Sequence, residues 1–231
     1  MNKILENLQD DLRESIPAMD FHMHTAWTDG KHSSQQMIDE CNKKSLKQVL
    51  FSEHARQSSG DWFGDFATEI RSLIGDCKAY VGCEVKVLDF EGNIDATDFI
   101  VEQCDLVMAS VHRFPGEKGI VKDFKDTDPE VAVDTEFRLM IAVLENNKVD
   151  ILGHPFGMSY NRFKQPPSQR LIEDVIKKAA KEGIAFEINS RYHQNSKQLL
   201  DLCRKYNAPI SLGSNAHSIE EVGRIVEQLK H

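Results

Sequence analysis

Two histidines separated by one residue, His22 and His24 in Asp20-Phe21-His22-Met23-His24, are the first residues of this chain with the types and spacing for chemistry. Residues two apart on an extended strand project from the same face, so the two imidazoles can grip one metal ion. Further donors recur at the ends of short apolar runs: His54 in Ser52-Glu53-His54, Glu84 in Gly82-Cys83-Glu84, His112 in Ser110-Val111-His112 and His154 in Gly153-His154-Pro155. Asn215 and His217 close the set in Gly213-Ser214-Asn215-Ala216-His217. Imidazole suits zinc, iron and manganese, and a carboxylate can bridge two ions. Six of the nine histidines fall at such ends, which points to a metal centre rather than to scattered structural residues. Glu187, in Phe186-Glu187-Ile188-Asn189, fits a hydrogen-bonding role within the fold slightly better than a ligand role. His193 and His231 read as surface residues, and His32 lies just after Asp29-Gly30 in a loop expected to face the site.

The elements that must position these donors alternate. Strand-like runs cover Ala18–His22, Lys47–Ser52, Ala79–Val87, Asp105–Val111, Val149–Gly153, Ile184–Asn189 and Pro209–Ser214. They are short and continuously apolar, as parallel strands buried on both faces are. Helical stripes lie between them. One follows Ser33-Ser34, one carries Phe66, Ile70 and Leu73, and one starts at Asp128-Pro129, an N-cap with a first-turn proline. A fourth ends at Gly183, a fifth carries Leu199, Leu200 and Cys203, and Ser218 with Glu221 reads as a capping box opening the last. Seven strands alternating with helices predict a parallel α/β fold, first a closed or distorted barrel and otherwise an open doubly wound sheet. Functional residues of a parallel barrel gather at the C-terminal ends of its strands, where every one of these donors falls. No glycine-rich dinucleotide or P-loop fingerprint follows the first strand.

Composition narrows the function classes. The 231 residues carry 28 basic and 37 acidic side chains, a formal charge of −9, which disfavours long nucleic acid as a partner. Five cysteines (Cys41, Cys77, Cys83, Cys104 and Cys203) form no CxxC pair, so neither a disulfide framework nor a thiolate zinc site is expected. Residues 1–17 read as an N-terminal extension that is neither a signal peptide nor a membrane span. The expected compartment is the reducing cytoplasm.

Taken in order, DFHMHTAWTDGKHS, FSEH, GCEVKV, SVHR, GHP and GSNAH resemble the motifs of the PHP (polymerase and histidinol phosphatase) superfamily. The resemblance runs from Asp20 to the C-terminal helix and implies a single PHP-like phosphoesterase domain over residues 18–231, with a distorted (β/α)7 TIM-like barrel fold. It also implies two to three divalent ions, zinc, manganese or iron. His22, His24, Glu84 and Asn215 would share one ion. Glu84 would bridge to a second, held by His112 and His154, and Asp29, His54 and His217 would hold the third. Glu84, Asn215 and His217 are the implied catalytic residues. One departure stands out: the last motif usually reads GSDAH or GSDSH, and the amide of Asn215 is a weaker donor to a hard cation and cannot act as a base. Only 27 residues separate Glu84 from His112, and 41 separate His112 from His154, too few for the large inserted domain of the family's nucleoside-phosphate and exonuclease branch. The segment Glu91-Gly92-Asn93-Ile94-Asp95 behind Glu84 is more like the small stand-alone phosphatases.

Bridging metals at such a site would lower the pKa of a bound water, supply hydroxide near neutral pH and neutralise charge developing on phosphate. Arginine matches phosphate with a planar fork, and Arg56, Arg113 and Arg191 follow the second, fourth and sixth strands. Trp62, Phe63 and Phe66 form either a wall of the substrate pocket or a buried helix start. The expected function is a phosphomonoesterase acting on a small phosphorylated metabolite. Alternatives are a phosphodiesterase or protein-phosphotyrosine phosphatase of the same superfamily, and a metal-binding scaffold with weakened chemistry. The oligomeric state is not legible.

Overall fold

Seven apolar segments pair in chain order and all in parallel: β1 (Met19–Met23), β2 (Gln48–His54), β3 (Lys78–Lys86), β4 (Leu106–Ser110), β5 (Ile151–Gly153), β6 (Ala185–Asn189) and β7 (Ile210–Gly213). The computed structural model describes residues 1–116 and 127–230. Parallel neighbours need long crossovers. These include α2 (Ser34–Lys43), α3 (Gly60–Ser72), α4 (Asp98–Gln103), α5 (Pro129–Val143), α6 (Gln169–Glu182) and α7 (Ser196–Lys205). The last strand closes back on the first. Met23 bridges Ala216 in parallel, with the His24 N–H donating to the Ala216 carbonyl at 2.8 Å and the Ala216 N–H to that of His22 at 3.1 Å. The buried Asp20 carboxylate reinforces this seam by accepting from the backbone N–H groups of Ser214 and Gly223, both at 2.8 Å. The result is a single-domain (β/α)7 TIM-like barrel, distorted where β1 slips register between Asp20 and Met23.

Local signals place the helices. Ser33 and Gln36 form a reciprocal capping box ahead of α2. The Asp128 side chain accepts from Glu130 N and Val131 N with proline following. Gly183, at φ +70°, stops α6 in a left-handed conformation that costs glycine nothing. The C-terminus departs from expectation. Ser218 makes no side-chain cap; a 3-10 turn spans Ile219–Glu221, and the last helix, α8 (Arg224–Lys230), begins only after Gly223 at φ +71°. Glu221 turns back instead and accepts from the His217 N–H at 2.8 Å, so its carboxylate serves the site loop.

The N-terminal residues form α1 (Lys3–Glu14), which buries Leu5, Leu8 and Leu12. Each such burial is worth about 1.5–3 kcal/mol. Gln9 hydrogen-bonds both the carbonyl and the N–H of Ile210, and Asn2 donates to the Asp105 carbonyl at 3.0 Å. Those are residues where β7 begins and just ahead of β4, so α1 packs at the N-terminal end of the strands, opposite the clustered histidines. Among the described residues no helix is long and apolar enough to cross a membrane.

Candidate metal centre

Glu84, on β3, is enclosed by five histidines from four other strand ends, those of β1, β2, β4 and β5. Its Oε1 lies 2.8 Å from His154 Nε2 and 3.2 Å from His112 Nε2. Its Oε2 lies 3.0 Å from His54 Nδ1, 3.5 Å from His22 Nε2 and 3.6 Å from His24 Nε2. Farther out, Asp29 reaches His217 Nε2 at 3.4 Å and His54 Nε2 at 3.5 Å. The side chains fall into three overlapping groups: His22, His24 and Glu84; Glu84, His112 and His154; and His24, Asp29, His54 and His217. Within each group one ligand atom per residue comes within 4.8 Å of the others.

These residues fit divalent cations. His22 Nε2 faces His24 Nε2 at 3.1 Å, and His112 Nε2 faces His154 Nε2 at 3.2 Å. Two lone pairs so opposed repel unless a proton or a cation sits between them. Glu84 Oε2, His24 Nδ1, His154 Nδ1 and Asn215 Oδ1 are buried without a hydrogen-bond partner. Each would cost about 1–3 kcal/mol if left unsatisfied. An imidazole-carboxylate donor set suits zinc, manganese or iron. His154 (φ +26°) and Asn215 (φ +50°) both have left-handed backbone, a strain that persists where the surroundings over-determine it.

Buried carboxylates hold the histidines in place. Glu187 accepts from His22 Nδ1–H at 2.8 Å, from the Asn189 amide at 2.8 Å and from the His154 N–H, which leaves His22 Nε2 facing the centre. The hydrogen-bonding role expected for Glu187 is therefore the one it occupies. Glu53 accepts from Thr25 N and Oγ1, both at 2.7 Å, and from the Thr28 hydroxyl, which fixes the loop carrying Asp29. Burial opposes charge on His22, but Glu187 and Glu84 override it and push its pKa up to about 10, so a bound cation would take the place of the Nε2 proton while Nδ1–H stays on Glu187. Burial likewise opposes ionisation of Glu84, yet His112 and His22 hold its carboxyl well below the usual range. Burial, and then His54 and His22, depress His24. The opposing pull of Glu84 is outweighed, and His24 stays neutral, the form that ligates.

His193 is not a surface residue. It is buried, its Nε2–H donates to the Pro155 carbonyl at 2.9 Å, and its Nδ1 accepts from the Asn189 N–H at 3.0 Å. It thus ties the β6 loop to the backbone beside His154, and burial lowers its pKa to about 4. His32 accepts from the Ile219 N–H at 3.4 Å and joins none of the three groups, and His231 lies outside the described residues. Phe63 and Phe66 are buried in α3 while Trp62 stacks on Trp27, so this segment is a helix start rather than a pocket wall.

A cavity of roughly 460 Å³ opens over the histidines. Arg56, Arg113 and Arg191 all line it, as do Asp29, Glu84, Asn215 and His217. Arg191 stands beside the centre itself, with Nη1 3.3 Å from His217 Nδ1. Lys86, Arg162 and Tyr192 also line it and were not singled out from sequence. Lys86 was findable, because Glu84-Val85-Lys86 puts lysine and glutamate on one face. Arg162, at the end of a π-helical turn over Met158–Arg162, carries no such signal.

Comparison with known proteins agrees with this geometry. Curated relatives include a "Probable phosphatase" of Caldicellulosiruptor bescii, 27% identical over 88% of this chain and 81% of the relative. Another, also a "Probable phosphatase", from Clostridium botulinum, is 28% identical over 89% of this chain and 81% of its own length. A solved structure, of a "putative histidinol phosphatase" from Listeria monocytogenes, superposes with a TM-score of 0.70. It covers 89% of this chain and 97% of that one, and at 17% identity it shows the shared fold. The PHP domain model matches residues 20–191, about three-quarters of the sequence, and the barrel carries Asn215 and His217 from beyond that span to the same centre. The chain belongs to the PHP domain family.

Proposed function

We propose that this chain is a metal-dependent phosphatase that hydrolyses a phosphomonoester of a small molecule. One observation carries the reading: Glu84 Oε2 is buried without a hydrogen bond while nitrogens of His54, His22 and His24 converge on it within 3.6 Å. His22, His24, His54, His112, His154, His217, Asp29 and Glu84 would hold two to three divalent ions, with the Asn215 amide oxygen as a further donor. When bound, such ions supply Lewis acidity towards phosphate oxygens and acidify coordinated water. The remaining work belongs to the chain. Arg191 orients the scissile phosphate, because its guanidinium lines the cavity beside His217. Glu187 holds the His22 proton on Nδ1 and keeps Nε2 free to ligate. Asp29, whose carboxyl is depressed by hydrogen bonds from His217 and His54, remains anionic and draws both rings inward. The names of the relatives, each a "Probable phosphatase", support the reaction class.

The test is turnover of p-nitrophenyl phosphate and bis(p-nitrophenyl) phosphate by manganese-loaded protein, alongside elemental analysis of the purified chain. Faster monoester hydrolysis and at least two ions per chain are expected. A preference for the diester would move the function to phosphodiester hydrolysis. Protein that binds metal but turns over neither would be the weakened scaffold.

A further inference from the structure

The cavity holds more positive charge than one phosphate needs. Five cationic side chains line it, Arg56, Lys86, Arg113, Arg162 and Arg191, against two carboxylates, Asp29 and Glu84, which both belong to the metal-ligand groups. That is a local excess of cations in a chain with a formal charge of −9. The cations are not spread evenly. Arg191 comes from the loop after β6 and stands against His217. Arg56, Lys86 and Arg113 come from the ends of three successive strands, β2, β3 and β4. Among the described residues none of these three forms an ion pair, and Arg56 and Arg113 stand close enough for their charge to bear on Lys86. Asp95 also faces Lys86, but its carboxylate accepts from the Gln57 N–H at 3.1 Å instead of pairing with the lysine. Three like charges gathered with no ion-pair partner among the described residues cost energy in the free protein, which the nearby Asp95 offsets only in part, and an anion bound among them recovers it.

Position separates this cluster from the metal centre. Lys86 lies two residues beyond Glu84 on the same face of β3, roughly 7 Å farther along the strand. Lys86 and Arg113 also line a second, adjoining cavity, whose other walls are the apolar Val87, Leu88, Phe114 and Pro115 and the carboxylate of Asp95. The non-reacting part of a substrate can therefore run from the metal centre past these cations onto an apolar shelf.

From this juxtaposition of three cations, without an ion pair among the described residues and one strand step outside the ligand set, we infer that Arg56, Lys86 and Arg113 form a second anion subsite, and that the substrate carries a second phosphate or carboxylate besides its scissile phosphomonoester. The inference rests on the phosphatase reading for the role of the first phosphate, but the subsite is a binding property that can be measured without turnover.

Phosphonates, whose C–P bond a phosphatase does not cleave, provide the probe. Calorimetric titration of manganese-loaded protein with propylphosphonate, propane-1,3-bisphosphonate and 4-phosphonobutanoate compares one anionic group, two phosphonates and a phosphonate with a carboxylate. We expect at least one of the two doubly charged probes to bind ten- to a hundredfold more tightly than propylphosphonate, and which one leads identifies the second group. K86A and R113A should each reduce that ratio at least fivefold; a ratio cancels general losses of affinity. Circular dichroism of each variant checks its fold, and K86R should restore the ratio. Equal affinity for all three probes overturns the subsite, and so does a preference that survives both substitutions. Failure to hydrolyse p-nitrophenyl phosphate while the affinity ratio holds would sink the phosphatase reading and leave the subsite standing.

Discussion

Glu187→Gln tests the support of the centre with almost no change of shape. The wild-type carboxylate takes His22 Nδ1–H and the Asn189 amide on Oε1, and the His154 N–H on Oε2. Glutamine can keep the first two on its carbonyl oxygen only by turning its NH2 towards the His154 N–H, and the opposite flip would lose two bonds instead of one. A buried N–H left facing a donor costs about 1–3 kcal/mol. The bond from His22 also loses its charge assistance, which roughly halves it and adds about 1 kcal/mol. We therefore expect the metal-free variant to lose about 3 kcal/mol, a fall in Tm of roughly 6–12 °C for a chain of this size. Metal affinity should drop about 10- to 100-fold, because the carboxylate fixes the tautomer and orientation of His22. Thermal unfolding in chelator gives the first number and competition with a zinc-sensitive dye gives the second. A variant within about 1 °C of wild type that binds zinc equally well would show that Glu187 neither orients His22 nor supports the site.

Glu136 should make stability pH-dependent. It is buried, it accepts from Met158 N, Ser159 N and Ser159 Oγ, and burial raises its pKa from 4.5 to about 7. The native state keeps a proton that the unfolded chain releases, so this contribution is full below about pH 4.5 and is lost as pH rises through about 7, a change of about 3 kcal/mol. Urea unfolding across pH 5–8 should show that slope flattened in Glu136→Gln, and identical slopes in the two proteins would refute it. Asn215→Asp should raise metal occupancy or turnover, since a carboxylate is the stronger donor at a position whose oxygen is buried and unpartnered. If metal content by elemental analysis and kcat both stay unchanged, residue 215 lies outside the coordination sphere.

What the sequence determined by itself is the set of local choices. Continuous apolar runs dictated buried parallel strands, and Ser33-Ser34, Asp128-Pro129 and Gly183 dictated helix ends, because caps and periodicity are short-range physics. The recurrence of His, Glu and Asn at strand ends pointed to a metal centre for the same reason: a parallel barrel delivers every strand end to one rim. Tertiary structure decided the rest. Nothing near Glu187 in sequence reveals that its carboxylate joins His22, 165 positions away, to the backbone of His154. His193 reads as polar surface until the fold buries it beneath Pro155. The electrostatic character of the cavity is also a tertiary property. Arg56 and Arg113 stand out in sequence only as separate strand-end arginines, and they form one cluster with Lys86 only because β2, β3 and β4 lie side by side. Short-range preferences set where strands and helices begin, whereas burial and charge depend on what closure brings together, and in this chain closure joins residues up to about 200 positions apart.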